Sequence, residues 1–319
     1  MGGGGDWHFL FFVIASAPGK VILFGEHAVV YGRPALAVPV KQIGAEVEVK
    51  ETSRKGIWIT ATQIGLHAEL SALADDHPIK AAIRDVFQCA GRSLSASLDI
   101  HISSTIPPAS GLGSGAAVSV ALVRALAGQI SYPISDAQVN DLVFEVEKLY
   151  HGTPSGIDNT VITYAAPVFF TRGKPIATFK AGRPFSLVIG DTGIRAPTRE
   201  SVGEVRAIRE RERSRIDKIF DGIGEIALQA RRVIEGGQPD KLGELMNRNH
   251  VLLQDLTVSS PELDRLVDAA RHAGASGAKL SGGGRGGNMI SLVEEKNSQT
   301  VATALMAAGA RSTIITTVS

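Results

Sequence analysis

Between Ser110 and Gly115 the chain reads SGLGSG, three glycines and two serines in six residues, and an almost wholly apolar run follows, Ala116 to Ala127. Glycine gives up more conformational freedom on folding than any other residue, so a cluster of this kind marks a backbone that must turn tightly or be approached closely. The composition of Ser114 to Ala127 predicts a helix. It is apolar on nearly all sides, which predicts that it lies deep in the protein. Just upstream, Leu98, Ile100 and Ile102 alternate with Asp99, His101 and Ser103, the pattern of a half-buried strand. A strand, a glycine turn and a helix N-terminus together make an anion site, because unpaired N–H groups and the helix dipole both face the turn. Ser110 and Ser114 can add hydroxyl donors or metal contacts. The competing reading is a tight turn whose small residues merely allow close packing.

Two familiar phosphate motifs fit poorly. The Walker form G-x-x-x-x-G-K-[ST] does not occur. The dinucleotide form is matched loosely by Gly111, Gly113 and Ala116, and again by Gly282, Gly284 and Gly287. The first match is preceded by Pro107-Pro108-Ala109-Ser110, which spoils the strand-to-helix turn, and no strand ending in an acid follows it at the required distance. A dinucleotide-dependent oxidoreductase is therefore the weaker reading.

The chain has 319 residues, too many for one core and comfortable for two domains, with a boundary expected near Gly182, giving 1–182 and 183–319. A net charge of +1 gives no electrostatic reason to expect nucleic acid or an anionic membrane as partner. The apolar run Phe9 to Ala15 is too short to span a bilayer and lacks a basic leader. Gly2 is followed by Asp6 where a myristoylation signal wants Ser or Thr, so Gly2–Gly5 reads as a tail. A single cysteine, Cys89, excludes an internal disulfide and points to a reducing, cytoplasmic setting.

Strands are expected at Lys20–Phe24, Ala45–Lys50, Gly56–Thr60, Val161–Phe170, Phe185–Gly190, Asn288–Val293 and Ser312–Val318. Ser135 and Gln138 form a capping box ahead of a helical stripe, Val139 to Tyr150. Helices are expected over Glu200–Ile234, Asp240–Gln254, Pro261–Ala273 and Ser298–Ala308. The arginines between Arg195 and Arg215 are interleaved with glutamates. They read as a solvated helix face, with an anion-binding role for one or two as the alternative.

Three motifs in one order carry a resemblance. The first is APGKVILFGEHAVVYG, Ala17 to Gly32, the second is the glycine loop, and the third is GAKLSGGGRGG, Gly277 to Gly287. This set resembles the GHMP kinase superfamily. Within it the first motif, HGTPSGIDNTVITYAAPVFF (His151–Phe170) and NRNHVLLQDLTVSSPELDRLV (Asn247–Val267) are similar to the mevalonate-phosphorylating branch. The resemblance implies an α+β, two-domain fold, with an N-terminal domain like the second domain of ribosomal protein S5 and a ferredoxin-like C-terminal domain. The site lies in the cleft between them.

The implied reaction is ATP-dependent phosphorylation of the C5 hydroxyl of (R)-mevalonate, with Mg2+ as cofactor and ATP as co-substrate. Phosphomevalonate, homoserine or a sugar is the alternative acceptor. By resemblance Asp158 is the catalytic carboxylate and Lys20 its partner. ATP is held by Pro108, Ala109, Ser110, Gly111, Leu112, Gly113, Ser114, Gly115 and Ala116, with Gly283 and Gly284 closing over it. The acceptor meets Lys20, Glu26, His27, Asp158 and Thr198, and His27 is expected to donate to it. Ser114 and Glu147 are the implied metal contacts, although helical geometry alone does not choose Glu147 over Glu145. Asp158 is expected in an exposed loop between a helix and a strand. A homodimer is among the assemblies the family allows. Two departures stand out. The family loop continues Gly-Leu-Gly-Ser-Ser where this chain has Gly115, leaving that metal contact to Ser114 or a water. The third motif has Arg285 where the family has glycine, which either adds charge at the nucleotide or points to solvent.

Overall fold

Strand β1 (Phe12–Phe24) runs antiparallel to the long β2 (Ala35–Glu51), and this pair is the spine of the first half of the chain. The structure is a computed structural model, and it describes residues 12–107, 110–152, 154–175, 177–195 and 198–319. The other edge of β2 is shared. Its C-terminal part pairs with β5 (Leu98–Ser104) and its first residues with β6 (Val168–Phe170). Strands β3 (Ile57–Ala61), β4 (Leu66–Glu69) and β7 (Ala177–Thr178) complete a sheet of seven strands among the described residues. Every pairing in it is antiparallel except β3 with β5.

One face of this sheet is covered by α1 (Pro78–Cys89), α2 (Ser114–Gln129) and α3 (Asp136–His151). Helix α2 packs directly on β1 and β2, and Ala117, Val120, Ala121, Leu122 and Ala125 are fully buried. Its all-round apolar sequence is thus explained by the sheet below it and helices on both sides. The capping box of Ser135 and Gln138 starts α3 as expected.

The chain changes sheets after β7. Strands β8 (Phe185–Asp191), β9 (Gly277–Ser281), β10 (Asn288–Val293) and β11 (Ser312–Val318) form a second, antiparallel sheet in the order β11-β8-β10-β9. In chain order that is fourth, first, third, second, the split β-α-β arrangement of ferredoxin-like folds. Helices α5 (Thr198–Arg211), α6 (Arg213–Glu235), α7 (Leu242–Asp255) and α8 (Pro261–His272) connect β8 to β9, and α9 (Ser298–Ala307) connects β10 to β11.

Several sequence expectations are corrected. Val161–Phe170 is not one strand: Ile157–Tyr164 is a helix, α4, and only Val168–Phe170 is extended. The β-branched residues Val161, Ile162 and Thr163 read as strand, but all three are buried within this helix, so packing overrides propensity there. Asp158 accordingly sits in the first turn of α4 and not in an exposed loop. The expected helix over Glu200–Ile234 is two helices, broken at Glu212, whose φ of −129° is not helical. Strands β1 and β2 extend far beyond the segments expected. Helix α1 and strand β4 had no expectation.

Candidate functional site

Lys20 reaches its position through an irregularity. The β1–β2 register shifts between Pro18 and Gly19, where Pro18 faces Gly44 but Gly19 faces Val40. A side chain at 44 would lie 2.6 Å from the Ala17 carbonyl, so the shift requires a glycine there. Beside the shift the Lys20 N–H leaves the ladder and donates to the Leu112 carbonyl at 3.0 Å. The glycine loop is thereby hung on β1. Leu112 contributes that carbonyl, while its own side chain points into the core.

Gly113 is the N-cap of α2, with φ 81° and ψ 30° in the left-handed region. An added Cβ would stand 2.6 Å from Ile162 Cδ1 and 3.0 Å from Lys20 Cγ. The first amides of α2 therefore open into a cleft of about 1100 Å³ lying between the two sheets. Ser110, Gly111, Gly113, Ser114, Gly115 and Ala116 border the cleft on one side, and Gly283 and Gly284 face them from the second sheet. Pro108 and Ala109 lie outside the described residues. Asn288, at the start of β10, donates to the Ser110 carbonyl and joins the two sides.

Across the loop, Lys20 Nζ and Asp158 Oδ1 are 3.0 Å apart. The lysine is buried, and the Asp158 side chain keeps 29% exposure. Helix α4 sets the carboxylate: Gly156 caps it at φ 88°, Thr160 Oγ1 bonds back to the Gly156 carbonyl at 2.6 Å, and Asn159 Nδ2 bonds Asn140 Oδ1 of α3 at 2.8 Å. Glu147, on α3, is 2% exposed and also borders the cleft. Burial first, and then the Asp158 anion, push its carboxyl up to about 8, with Lys20 opposing. Glu145, the geometric alternative, is paired with Lys148 and exposed. Gly115 stands directly against Glu147: a Cβ there would lie 3.4 Å from Glu147 Oε1 and 3.3 Å from the Tyr150 ring. The serine missing from the loop would thus have pointed at Glu147, and the edge of Tyr150 now stands over that position.

These groups bear on Mg2+. Among the described residues no group of three or more His, Cys, Asp and Glu could hold a metal ion. An ion here would rely on one or two carboxylates, a hydroxyl and phosphate oxygens, which is how magnesium binds. A buried carboxyl held at about 8 beside a second carboxylate is a pair that a cation would relieve. The residues fit the group.

His27 and Glu26 differ from expectation in what their atoms do. Burial lowers the His27 imidazole to about 4, against the hydrogen bond it donates to the Gly283 carbonyl, and the positive charge of Arg285 acts in the same direction as burial. The ring is neutral. Its Nε2 lies 3.0 Å from the Gly283 carbonyl, which can only accept, so Nε2 carries the proton. Nδ1 is then an acceptor, not the donor expected, and it has no protein partner among the described residues. Glu26 borders the cleft but commits its carboxylate to Lys279 and, at 3.2 Å, to Asn249 Nδ2. Glu26 and Lys279 are both 0% exposed at their side chains. Ser281 Oγ adds a further bond between the halves, to the Ile22 carbonyl at 2.8 Å. Lys279, Asn249, Ser281 and Asn288 had no sequence assignment, although the first three lie within quoted motif stretches and Asn288 directly follows one. Nothing local marks them, because each finds its partner in the other half of the chain. Thr198 opens α5, but its side chain lies outside the described residues.

The arginine stretch divides. Arg209 and Arg213 pair with Asp217, and Arg215 with Glu212, whereas Arg195 and Arg206 border the cleft. Chemically the lining of the cleft combines a glycine turn at a helix N-terminus, a carboxylate–ammonium pair and cationic groups.

Residues 77–166 match the family model "GHMP kinases N terminal domain", and residues 227–311 match "GHMP kinases C terminal". The mevalonate kinase of Thermococcus gammatolerans is 35% identical, and that of Pyrococcus furiosus 38%, each alignment covering 93% of both chains. Among solved structures, L. major mevalonate kinase in complex with R-mevalonate superposes with a TM-score of 0.83 at 30% identity, covering 96% of this chain and 95% of that one. The Methanococcus jannaschii mevalonate kinase gives 0.82 at 28%, covering 98% of each.

Proposed function

The chain belongs to the GHMP kinase family, and on that premise we propose that it phosphorylates the C5 hydroxyl of (R)-mevalonate from ATP, forming 5-phosphomevalonate and ADP. The observation that carries the reading is the Lys20–Asp158 pair at 3.0 Å, standing at the open end of the glycine-loop cradle. Phosphoryl transfer asks a protein for positioning and charge neutralisation, with little covalent chemistry of its own. The amides of the loop and of the first turn of α2 hold the triphosphate through hydrogen bonds and the helix dipole. Gly283 and Gly284 close on it from the second sheet.

Asp158 accepts the proton of the acceptor hydroxyl as the new O–P bond forms and the bond to the ADP oxygen breaks. The Lys20 ammonium, 3.0 Å from that carboxylate, stabilises the oxygen as it loses its proton. His27 borders the cleft as a neutral imidazole that holds the Gly283 carbonyl, fixing the loop beside the acceptor. The Glu26–Lys279–Asn249 cluster supports His27 from behind, next to it in the chain. Glu147, with Ser114 on the same cleft, would hold magnesium, which would supply neutralisation of phosphate charge when bound. The cleft-facing cations Arg195 and Arg206 suit an acceptor that carries a carboxylate, which favours mevalonate over a neutral sugar.

The reading places the domain boundary near Gly182, between β7 and β8. It also carries a cytoplasmic setting, supported by the exposed free thiol of Cys89. Among the described residues no helix is long and apolar enough to cross a membrane. A homodimer is a further element, to be checked by light scattering. The deciding experiment is an ADP-release assay with mevalonate, phosphomevalonate, homoserine and galactose as acceptors. Turnover should be confined to mevalonate; turnover of another acceptor in its place would reject the substrate.

A further inference from the structure

Arg285 stands in the glycine run at a φ of 60°, between Gly284 at 75° and Gly286 at 145°. Left-handed backbone is open to glycine and resisted by a residue with a Cβ, so something must hold this arginine there. Two contacts do. Its N–H donates to the Val258 carbonyl at 2.7 Å, and its guanidinium pairs with Glu204 in the middle of α5. It combines the two alternatives read from the sequence: the side chain does not border the cleft, yet its charge acts on His27, and its guanidinium ends on Glu204 while staying partly exposed.

The position of that pair matters. The loop on one side of Arg285 bonds His27 through the Gly283 carbonyl, and on the other side Gly287 N–H bonds the Ile194 carbonyl at 2.9 Å. Glu204 is flanked on α5 by Val202, Gly203 and Arg206, which border the cleft; on the kinase reading this is its acceptor end. Helix α5 therefore has one face on the acceptor end and one charged tie to the nucleotide loop.

We propose that Arg285 is a positioning residue, whose ion pair with Glu204 ties the nucleotide-closing loop 282–287 to α5, so that nucleotide binding orders the acceptor end of the cleft. The inference rests on the kinase reading for the identity of the two ends. Its physical content is a coupling between two sites, which must be reciprocal: acceptor binding tightens nucleotide binding by the same factor.

The test uses the full chain and hydrogen exchange, with and without Mg2+ and a non-hydrolysable ATP analogue. In the unaltered protein the analogue should protect amides in both the loop and α5. In Arg285→Gly, which relieves the backbone and so should fold, protection should remain in the loop and disappear from α5. KM for mevalonate should rise about two- to five-fold with kcat little changed, the range expected for a half-exposed ion pair. Arg285→Lys should recover part of the loss, and Arg285→Gly with Glu204→Gln should be no worse than either alone. Unchanged α5 protection in Arg285→Gly, or strictly additive single effects, would overturn the proposal. Failure of the kinase reading shows differently, as no mevalonate turnover by the unaltered protein, and leaves the exchange pattern on the analogue fully readable.

Discussion

Glu147→Gln should make the ligand-free protein more stable at pH 8 while stopping catalysis. The carboxyl is 2% exposed and is pushed from the ordinary 4.5 up to about 8, mainly by burial and secondarily by Asp158. For an acid whose folded pKa is raised, the native state binds the extra proton between the two values. Stability is therefore full below about pH 4.5 and falls as pH rises toward 8. At about 1.4 kcal/mol per pH unit the shift corresponds to roughly 5 kcal/mol as an upper bound, and relaxation of the site brings it nearer 2 kcal/mol. The neutral amide has the same shape and no such ionisation to suppress. For a chain of this size, with an unfolding entropy of about 2.1 cal/mol/K per residue, 2 kcal/mol corresponds to a gain of roughly 3 °C in melting temperature at pH 8, shrinking to none near pH 4.5. The assay is thermal unfolding in chelator from pH 5 to 9, followed by ADP release with Mg2+ and ATP. Added Mg2+–nucleotide should stabilise the unaltered protein at pH 8 far more than the variant. Parallel melting curves for the two proteins across this range would refute the reasoning, as would a variant that keeps its turnover.

Three further outcomes follow from the geometry. Asp158→Asn should fold and bind nucleotide, with kcat down by about 10²–10⁴ as measured by ADP release, the range for loss of a positioned base. Gly113→Ala should lose about 1–3 kcal/mol in denaturant unfolding, because its left-handed φ and the approach of Ile162 both oppose a Cβ; the displaced Lys20 should also raise KM for ATP. Lys279→Met should cost about 3–5 kcal/mol by leaving the Glu26 carboxylate buried without its cation, and adding Glu26→Leu should recover most of that stability. If the single and double variants melt together, the pair is not what joins the two halves.

Much of the cleft was legible because its parts are local. Three glycines with two serines ahead of an apolar helix can serve few purposes, and the turn geometry that Gly113 needs is written in its own backbone. Asp158 and Lys20 could be named from motifs, but the helix carrying Asp158 could not, because Val161, Ile162 and Thr163 favour strand until neighbouring elements bury them. The capping box of α3 and the strand alternation in β5 were read correctly for the same reason the loop was: each is decided within a few residues. Glu26 shows the opposite case. Its place in the first motif suggested an acceptor contact, and nothing within that motif indicates that Lys279 would take its charge.

Taken alone, then, the order of residues determined the glycine turn ahead of α2, the apolar depth of that helix and the chemistry of the groups around the loop, since these depend on backbone freedom and side-chain type over short spans. Only the tertiary structure decided protonation and partnership: that His27 is a neutral acceptor, that Glu147 holds its proton to about 8, and that Arg285 turns to Glu204. The reason is that charge state and ion pairing depend on what surrounds a group in space, and here the surroundings come from both sheets at once.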